Sequence, residues 1–248
     1  MTQVKKANEF KELHTKGEPL VLYNAWDAGS AVAIVDAGAR AVATSSAAVA
    51  SAQGYEDGEG LPLDFALRIV GRIVEVVDVP VTIDFEGGYS EDDQELVSNV
   101  TRLLDLGVVG LNFEDRVVKG DGMYSIARQA QRIEAIRRAA EKKSIPLFIN
   151  ARTDVFLGQT DDVGEAIERS RAYAAAGASG FFIPGLIADG EIHKIVEASP
   201  LPVNVMMMEG VSAVDKLAKL GVARVSYGPT PYFKAMNALT NEAAKMFR

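Results

Sequence analysis

The sequence predicts a single-domain α/β fold, a (β/α)8 TIM barrel spanning residues 1–248, on three observations. Eight short runs rich in Val, Ile, Leu or Phe recur along the chain, and each breaks into polar or Gly residues before a helix-period stretch; this alternation is what parallel strands with crossover helices produce. The 248 residues suit one such barrel, which takes roughly 250, and no Pro/Ser-rich linker or charge block divides them. Charges that would be costly inside a buried strand cluster where these runs end, in Asp84-Phe-Glu86, Glu114-Asp115-Arg116 and Arg152-Thr-Asp154. Parallel strands covered on both faces read as apolar runs, so such charges belong where strands emerge at their C-terminal mouth.

The start, MTQVKKANEFKELH, reads as a charged amphipathic helix without a signal-peptide core. The strand candidates follow at 20–25, 39–46, 79–86, 108–115, 146–154, 178–185, 202–208 and 223–228. Between them, helix periodicity covers 30–37, 63–77, 92–106, 125–143, 163–175, 191–198, 213–220 and 232–247. In the second of these, Phe65, Ile69, Ile73 and Val76 repeat at helical spacing and form one helical face. Ala-Gly-Ala or Leu-Gly-Val signals at 37–39, 106–108, 176–178 and 220–222 supply left-handed helix C-caps. Pro80, Pro146 and Pro202 open strands, where a missing N–H costs least. The longest connections, 47–61 and 116–124, fall on the mouth side, where barrels vary their chemistry.

Composition excludes several functions. A net charge of -8 argues against nucleic acid, and an anionic ligand would need a local cation. No apolar run approaches the roughly 18 residues of a membrane span. The absence of cysteine rules out disulfides, thiolate metal sites and a Cys nucleophile, and fits a cytoplasmic location. His14 and His193 lie in amphipathic helices away from the mouth, and Met206 to Met208 read as barrel core. No Gly-rich nucleotide loop is present.

What remains is a carboxylate cluster. Asp84 and Glu86 are two apart and share a strand face, Glu114 ends the adjacent strand, and Asp57 lies in the Gly-rich loop 54–60. Three converging carboxylates repel one another unless a cation sits among them, and an all-oxygen set suits Mg²⁺ or Mn²⁺ held with several waters. The bland alternative is that these acids cap helices or pair with Arg on a solvated rim. Arg152 offers a two-pronged donor to a carboxylate or phosphonate, or else a structural ion pair with Glu114 or Asp154. Ser45, Ser46 and Ala47 follow the second strand, where turn amides can cradle an anion.

Taken together, Asn24-Ala-Trp-Asp27, Thr44-Ser-Ser46, Gly54-Tyr-Glu-Asp57, Asp84-Phe-Glu-Gly-Gly-Tyr89, Leu111-Asn-Phe-Glu-Asp115 and Ala151-Arg-Thr-Asp154 resemble the isocitrate lyase and phosphoenolpyruvate mutase superfamily, which includes phosphonomutases and methylisocitrate lyases. The resemblance implies an Mg²⁺-dependent barrel that makes or breaks a C–C or P–C bond of a small anionic 2-oxo or 2-hydroxy acid through a stabilised pyruvate enolate. It implies Asp57, Asp84, Glu86 and Glu114 around the metal, Ser45, Ser46, Ala47, Asp84 and Arg152 on the substrate, and Arg152, Lys119 and Glu114 in the chemistry. It also implies a homo-oligomer, dimer or tetramer, with the last helix swapped between subunits.

The departures shape what is expected. The loop 116–124 lacks both the Cys-Gly-His run of the lyases and the Asn-Ser of the phosphonate enzymes, leaving Lys119 as its only candidate proton-transfer group. The Asn-x-Thr pattern for a distal carboxylate is reduced to Asn204, a candidate substrate contact, and Ala43 and Gly185 replace an aromatic residue and a Glu. The leading expectation is a carbon–carbon lyase or phosphonomutase-like enzyme. The alternatives are a non-catalytic metal and 2-oxo acid binding protein, and a barrel of unrelated carbohydrate or aldol chemistry; a Schiff-base aldolase would need a strand Lys that these strands lack.

Overall fold

In the computed structural model, which describes residues 1–247, strand and helix alternate as the apolar periodicity predicts. Helix α1 (Gln3–Glu12) precedes β1 (Leu20–Leu22), α2 (Ala28–Asp36), β2 (Val42–Ala43), α3 (Ser46–Ala52), α4 (Leu63–Val76), β3 (Val81–Asp84), α5 (Asp93–Asp105) and β4 (Gly110–Glu114). There follow α6 (Ile126–Lys142), β5 (Phe148–Arg152), α7 (Val163–Ala175), β6 (Gly180–Phe182), α8 (Asp189–Ala198), β7 (Val203–Met206), α9 (Val214–Lys219), β8 (Arg224–Ser226) and α10 (Thr230–Met246).

All strands are parallel, in the order β1-β8-β7-β6-β5-β4-β3-β2. A parallel bridge between Ala25 and Thr44 joins the first and last of these, with the Ala25 amide donating to the Ala43 carbonyl at 2.8 Å and the Ser45 amide to the Ala25 carbonyl at 3.3 Å. This is the (β/α)8 barrel. The glycine-capped helix ends behave as expected: Gly38, Gly107, Gly177 and Gly221 hold φ between 88° and 100°, the region where a side chain is strained.

The main core lies between barrel and helices, where Ile73, Leu96, Val100, Leu104, Ile133, Ile136, Ile192 and Ile195 bury their side chains. A second cluster closes the barrel floor. There α1 inserts Ala7 and Phe10 against Leu20, Leu22, Val109 and Phe148, and Phe10 meets Phe148 edge-on at 5.4 Å. His14 stacks on Phe148 at 4.0 Å and donates from Nδ1 to the Phe10 carbonyl at 2.8 Å, so it is a floor residue and plays no part at the mouth.

One expectation needs correcting. The connection 47–61 is not all loop, because Ser46–Ala52 forms α3, capped by the Ser45 hydroxyl. The fully buried residues of α4 are Leu67, Val70 and Ile73; of the row through Phe65, Ile69, Ile73 and Val76 the other three are only partly buried. Phe65 and Ile69 pack against Val49, Ala50 and Leu61, a side cluster that includes α3. With a neighbour on that flank, α4 turns its second apolar row to the barrel.

Candidate active site

The C-terminal mouth holds a cavity of about 180 Å³ lined by Asn24, Ser45, Ser46, Ala47, Asp57, Asp84, Asn112, Arg152, Phe182, Met206 and Ser226, among others. Six of the residues expected to act here, Ser45, Ser46, Ala47, Asp57, Asp84 and Arg152, therefore meet around one space.

Asp84 ends β3, and its backbone amide is tied to the Thr44 hydroxyl at 3.0 Å. Oδ2 accepts from the Ser46 amide at 3.2 Å and hydroxyl at 3.0 Å. Oδ1 is buried and has no partner among the described residues, a costly state for a carboxylate oxygen unless something fills it. The amides expected to cradle an anion are partly committed: Ser45 donates to Ala25 in barrel closure and Ser46 to Asp84.

Glu86 does not share the β3 face with Asp84 by strand alternation. The strand ends at Asp84, and Glu86 lies in the following turn with φ 49°, where its carboxylate accepts a hydrogen bond from the Glu59 amide. Burial, then the charges of Asp84, Asp57 and Glu114, push its pKa up to about 9. Glu114, buried at the end of β4, forms an ion pair with Arg152 at 2.8 Å. Its pKa is raised to about 8, chiefly by burial, with Asp154, Asp84 and Asp57 adding to the rise and Arg152 opposing it.

Arg152 is doubly held. Besides Glu114 it donates from Nε and Nη2 to Asp154 at 2.6 and 3.0 Å, and its surrounding acids keep it above the usual guanidinium range despite burial. The expected ion pair and the expected ligand-binding position thus coincide. Asp154 is in turn fixed through its amide on Asp115 Oδ1 at 3.0 Å, while Asp115 Oδ2 accepts from Arg169 and Tyr173 at 3.1 and 2.8 Å.

Four of the expected residues do not line the cavity: Glu86 and Glu114, described above, and Lys119 and Asn204. Lys119 is exposed and donates to the carbonyls of Gly58 and Glu59 at 3.0 and 3.1 Å, clasping the two mouth loops together. Asn204 is buried inside the barrel, where its carbonyl accepts from Asn150 at 3.0 Å and its amide donates to the Val205 and Arg224 carbonyls and the Ser226 hydroxyl. Two residues given no role from sequence prove to shape the site. Asn24 knits β1, β2 and β8 by donating to the Thr44 carbonyl and accepting from the Tyr227 and Gly228 amides. Glu59 holds the Tyr89 amide at 2.8 Å; its place in a Gly-rich loop hid it.

Among the described residues, no three acidic or histidine side chains converge tightly enough to enclose a metal ion, so the expected close convergence of Asp84, Glu86 and Glu114 is not realised. The donor chemistry nonetheless fits a hard cation. Mg²⁺ is commonly held by one or two carboxylates with the rest of its shell water, and the unpartnered Asp84 Oδ1 beside crowded carboxyls offers that kind of anchor.

An eight-stranded parallel barrel with strand-end acids facing an arginine at its mouth has the layout of a (β/α)8 enzyme. Residues 10–247 match the family of phosphoenolpyruvate phosphomutase, and the chain belongs to that family. It is similar to a protein of Burkholderia cenocepacia J2315 provisionally named a phosphonomutase, with 42% identity, a TM-score of 0.94, and coverage of 97% of this chain and 99% of that one. The 2-methylisocitrate lyase of Escherichia coli K12 is 28% identical over 249 residues, covering 96% of this chain and 83% of the enzyme. Phosphonopyruvate hydrolase, in its complex with oxalate and Mg²⁺, shares the fold at 20% identity with a TM-score of 0.88, covering 100% of this chain and 88% of that one.

Proposed function

We propose that this chain is an Mg²⁺-dependent lyase or phosphonomutase-like enzyme that cleaves or rearranges a C–C or P–C bond of a small 2-oxo or 2-hydroxy acid through a pyruvate enolate. The observation that carries the reading is the pairing, in one small cavity, of Asp84, with its unpartnered buried oxygen, and Arg152. The lyase activity named for one relative and the oxalate and Mg²⁺ named for another support it.

Asp84, with Asp57, Glu86 and Glu114 around it, would hold the ion directly or through water. A divalent cation there supplies Lewis-acid charge to the oxygens of a 2-oxo acid. Arg152 donates two of its five N–H groups to Asp154 and forms an ion pair with Glu114 through Nη1. The rest of its guanidinium remains for a ligand carboxylate, and its fixed charge opposes the negative charge that develops on an enolate. Ser45, Ser46 and Ala47 bound the same space. Carbon–carbon cleavage is favoured over phosphorus–carbon chemistry because the loop 116–124 has no Asn to hold a phosphonyl group.

The test is release of a 2-oxo acid, with and without Mg²⁺, from oxaloacetate, phosphonopyruvate, methylisocitrate and simpler 2-hydroxy diacids. Metal-dependent turnover that Asp84→Ala abolishes is expected; turnover surviving in Asp84→Ala overturns the reading. A second reading, a binding protein without turnover, draws on the position of Lys119, which is engaged by loop carbonyls outside the cavity. Oxalate and Mg²⁺ bound by a chain that turns over none of the panel would favour it, whereas loss of turnover with retained oxalate affinity in Lys119→Ala would favour the enzyme.

A further inference from the structure

The barrel interior below the cavity is polar where barrels usually pack branched aliphatic side chains. Asn112, Asn150 and Asn204 form a hydrogen-bonded row, with Asn150 donating to Asn112 at 2.9 Å and to Asn204 at 3.0 Å. Into this row β8 sends Arg224, which is 1% exposed. Its Nη2 donates to Asn112 Oδ1 at 3.2 Å. Since β8 and β4 stand four strands apart in a barrel of eight, this contact crosses the interior.

Among the described residues Arg224 Nε and Nη1 have no partner, and no carboxylate forms an ion pair with it. His14, below, does not offset the charge. Its Nδ1 carries the proton given to the Phe10 carbonyl, and burial together with Arg224 holds its pKa down to about 3. An unpaired buried cation is expensive, and the carboxylate whose field reaches it is Asp84, above. Arg152, by contrast, already faces two carboxylates.

We propose that Arg224 supplies the uncompensated positive charge that draws a small dicarboxylate-type anion into the mouth, acting from beneath the cavity through Asn112 as a positioning residue that never touches the ligand. The proposal rests on the reading of the mouth as a metal and oxo acid site. It carries a signature that a structural role lacks: the same charge that attracts an anion repels a cation held at Asp84.

The experiment is calorimetric titration of the full chain with Mg²⁺ alone and with oxalate at saturating Mg²⁺, for wild type, Arg224→Met, Arg224→Gln and Arg224→Lys, with circular dichroism to check folding. At an effective dielectric near 20, a charge one barrel layer away is worth on the order of tenfold in affinity. Both neutral variants are therefore expected to bind oxalate about tenfold more weakly and Mg²⁺ alone more tightly, while Arg224→Lys stays near wild type on both. The Gln variant, which keeps a donor for Asn112, decides the matter if Met does not fold. Folded neutral variants in which both affinities fall, or neither moves, overturn the role of Arg224 and leave the reading of the mouth intact. A wild type that binds no oxalate with Mg²⁺ present overturns that reading, and this proposal with it.

Discussion

Glu86 shows how a single side chain stores the electrostatics of the mouth. Its carboxyl is raised from the ordinary value of 4.5 to about 9, first by burial and then by Asp84, Asp57 and Glu114. A group whose folded pKa is raised contributes stability that is whole below the unfolded value and is lost as pH climbs through the folded one. The metal-free protein should therefore lose thermal stability between about pH 4.5 and 9. Glu86→Gln should show a shallower fall over the same window, and Mg²⁺ should flatten the wild-type curve by favouring the ionised form. Melting temperatures taken across that range, with chelator and with Mg²⁺, check this; equal slopes for wild type and Glu86→Gln would sink it. The residue scale also separates what was legible from what was not. Asp84, Glu114 and Arg152 stood out because charge at the end of an apolar run has one economical location in a barrel. The placement of Glu86 did not, because strand alternation stops at Asp84 and a left-handed turn carries it onward. Arg224 was visible as a charge within Val222-Ala-Arg-Val225, but a strand segment alone does not say which face is the barrel interior.

Among the elements, α1 does work that a barrel alone cannot, since the open N-terminal end would expose Leu20, Leu22 and Phe148 to water. Phe10 is the side chain that seals it, fully buried between His14 and Phe148. Truncating a buried Phe costs about 3–5 kcal/mol, and each kcal/mol moves the melting temperature of a chain this size by about 2–4 °C. Phe10→Ala should therefore melt roughly 6–20 °C below wild type in a calorimetric scan, and a shift under about 3 °C would mean that the floor is closed by something else. The eight strands and their helices were readable from periodicity because each is long enough for its pattern to repeat. Helix α3 was not: its seven residues, SAAVASA, are small and carry no distinct polar face. Missing it also hid where Phe65 packs, because the cluster of Val49, Ala50 and Leu61 that receives it is unreadable without α3.

At the scale of the whole molecule, the wall is not evenly covered. In a barrel the last helix ordinarily shields the outer face between the last and first strands, yet Val21 and Tyr23 on and after β1 remain 43% and 41% exposed. Beside them runs an open groove of about 700 Å³ lined largely by apolar side chains, including Trp26 and Ile34, with Pro231 and Ala235 from α10. Helix α10 itself presents Phe233 and Leu239 to solvent. Contiguous apolar surface of this kind marks an association site, and a self-complementary contact closing as a dimer or a dimer of dimers is the commonest way to bury it. Light scattering on the eluting protein should therefore report a dimer or tetramer at micromolar concentration. Tyr23→Asp and Leu239→Asp should each shift it toward monomer while leaving the circular dichroism spectrum unchanged, because neither side chain belongs to the barrel core. The mouth cavity and this groove have no lining residue in common, so oxalate affinity at saturating Mg²⁺ should survive in a folded monomer. A wild type that elutes as a monomer at every concentration would refute the association, and a monomeric variant that loses oxalate would show that the wall and the mouth are coupled.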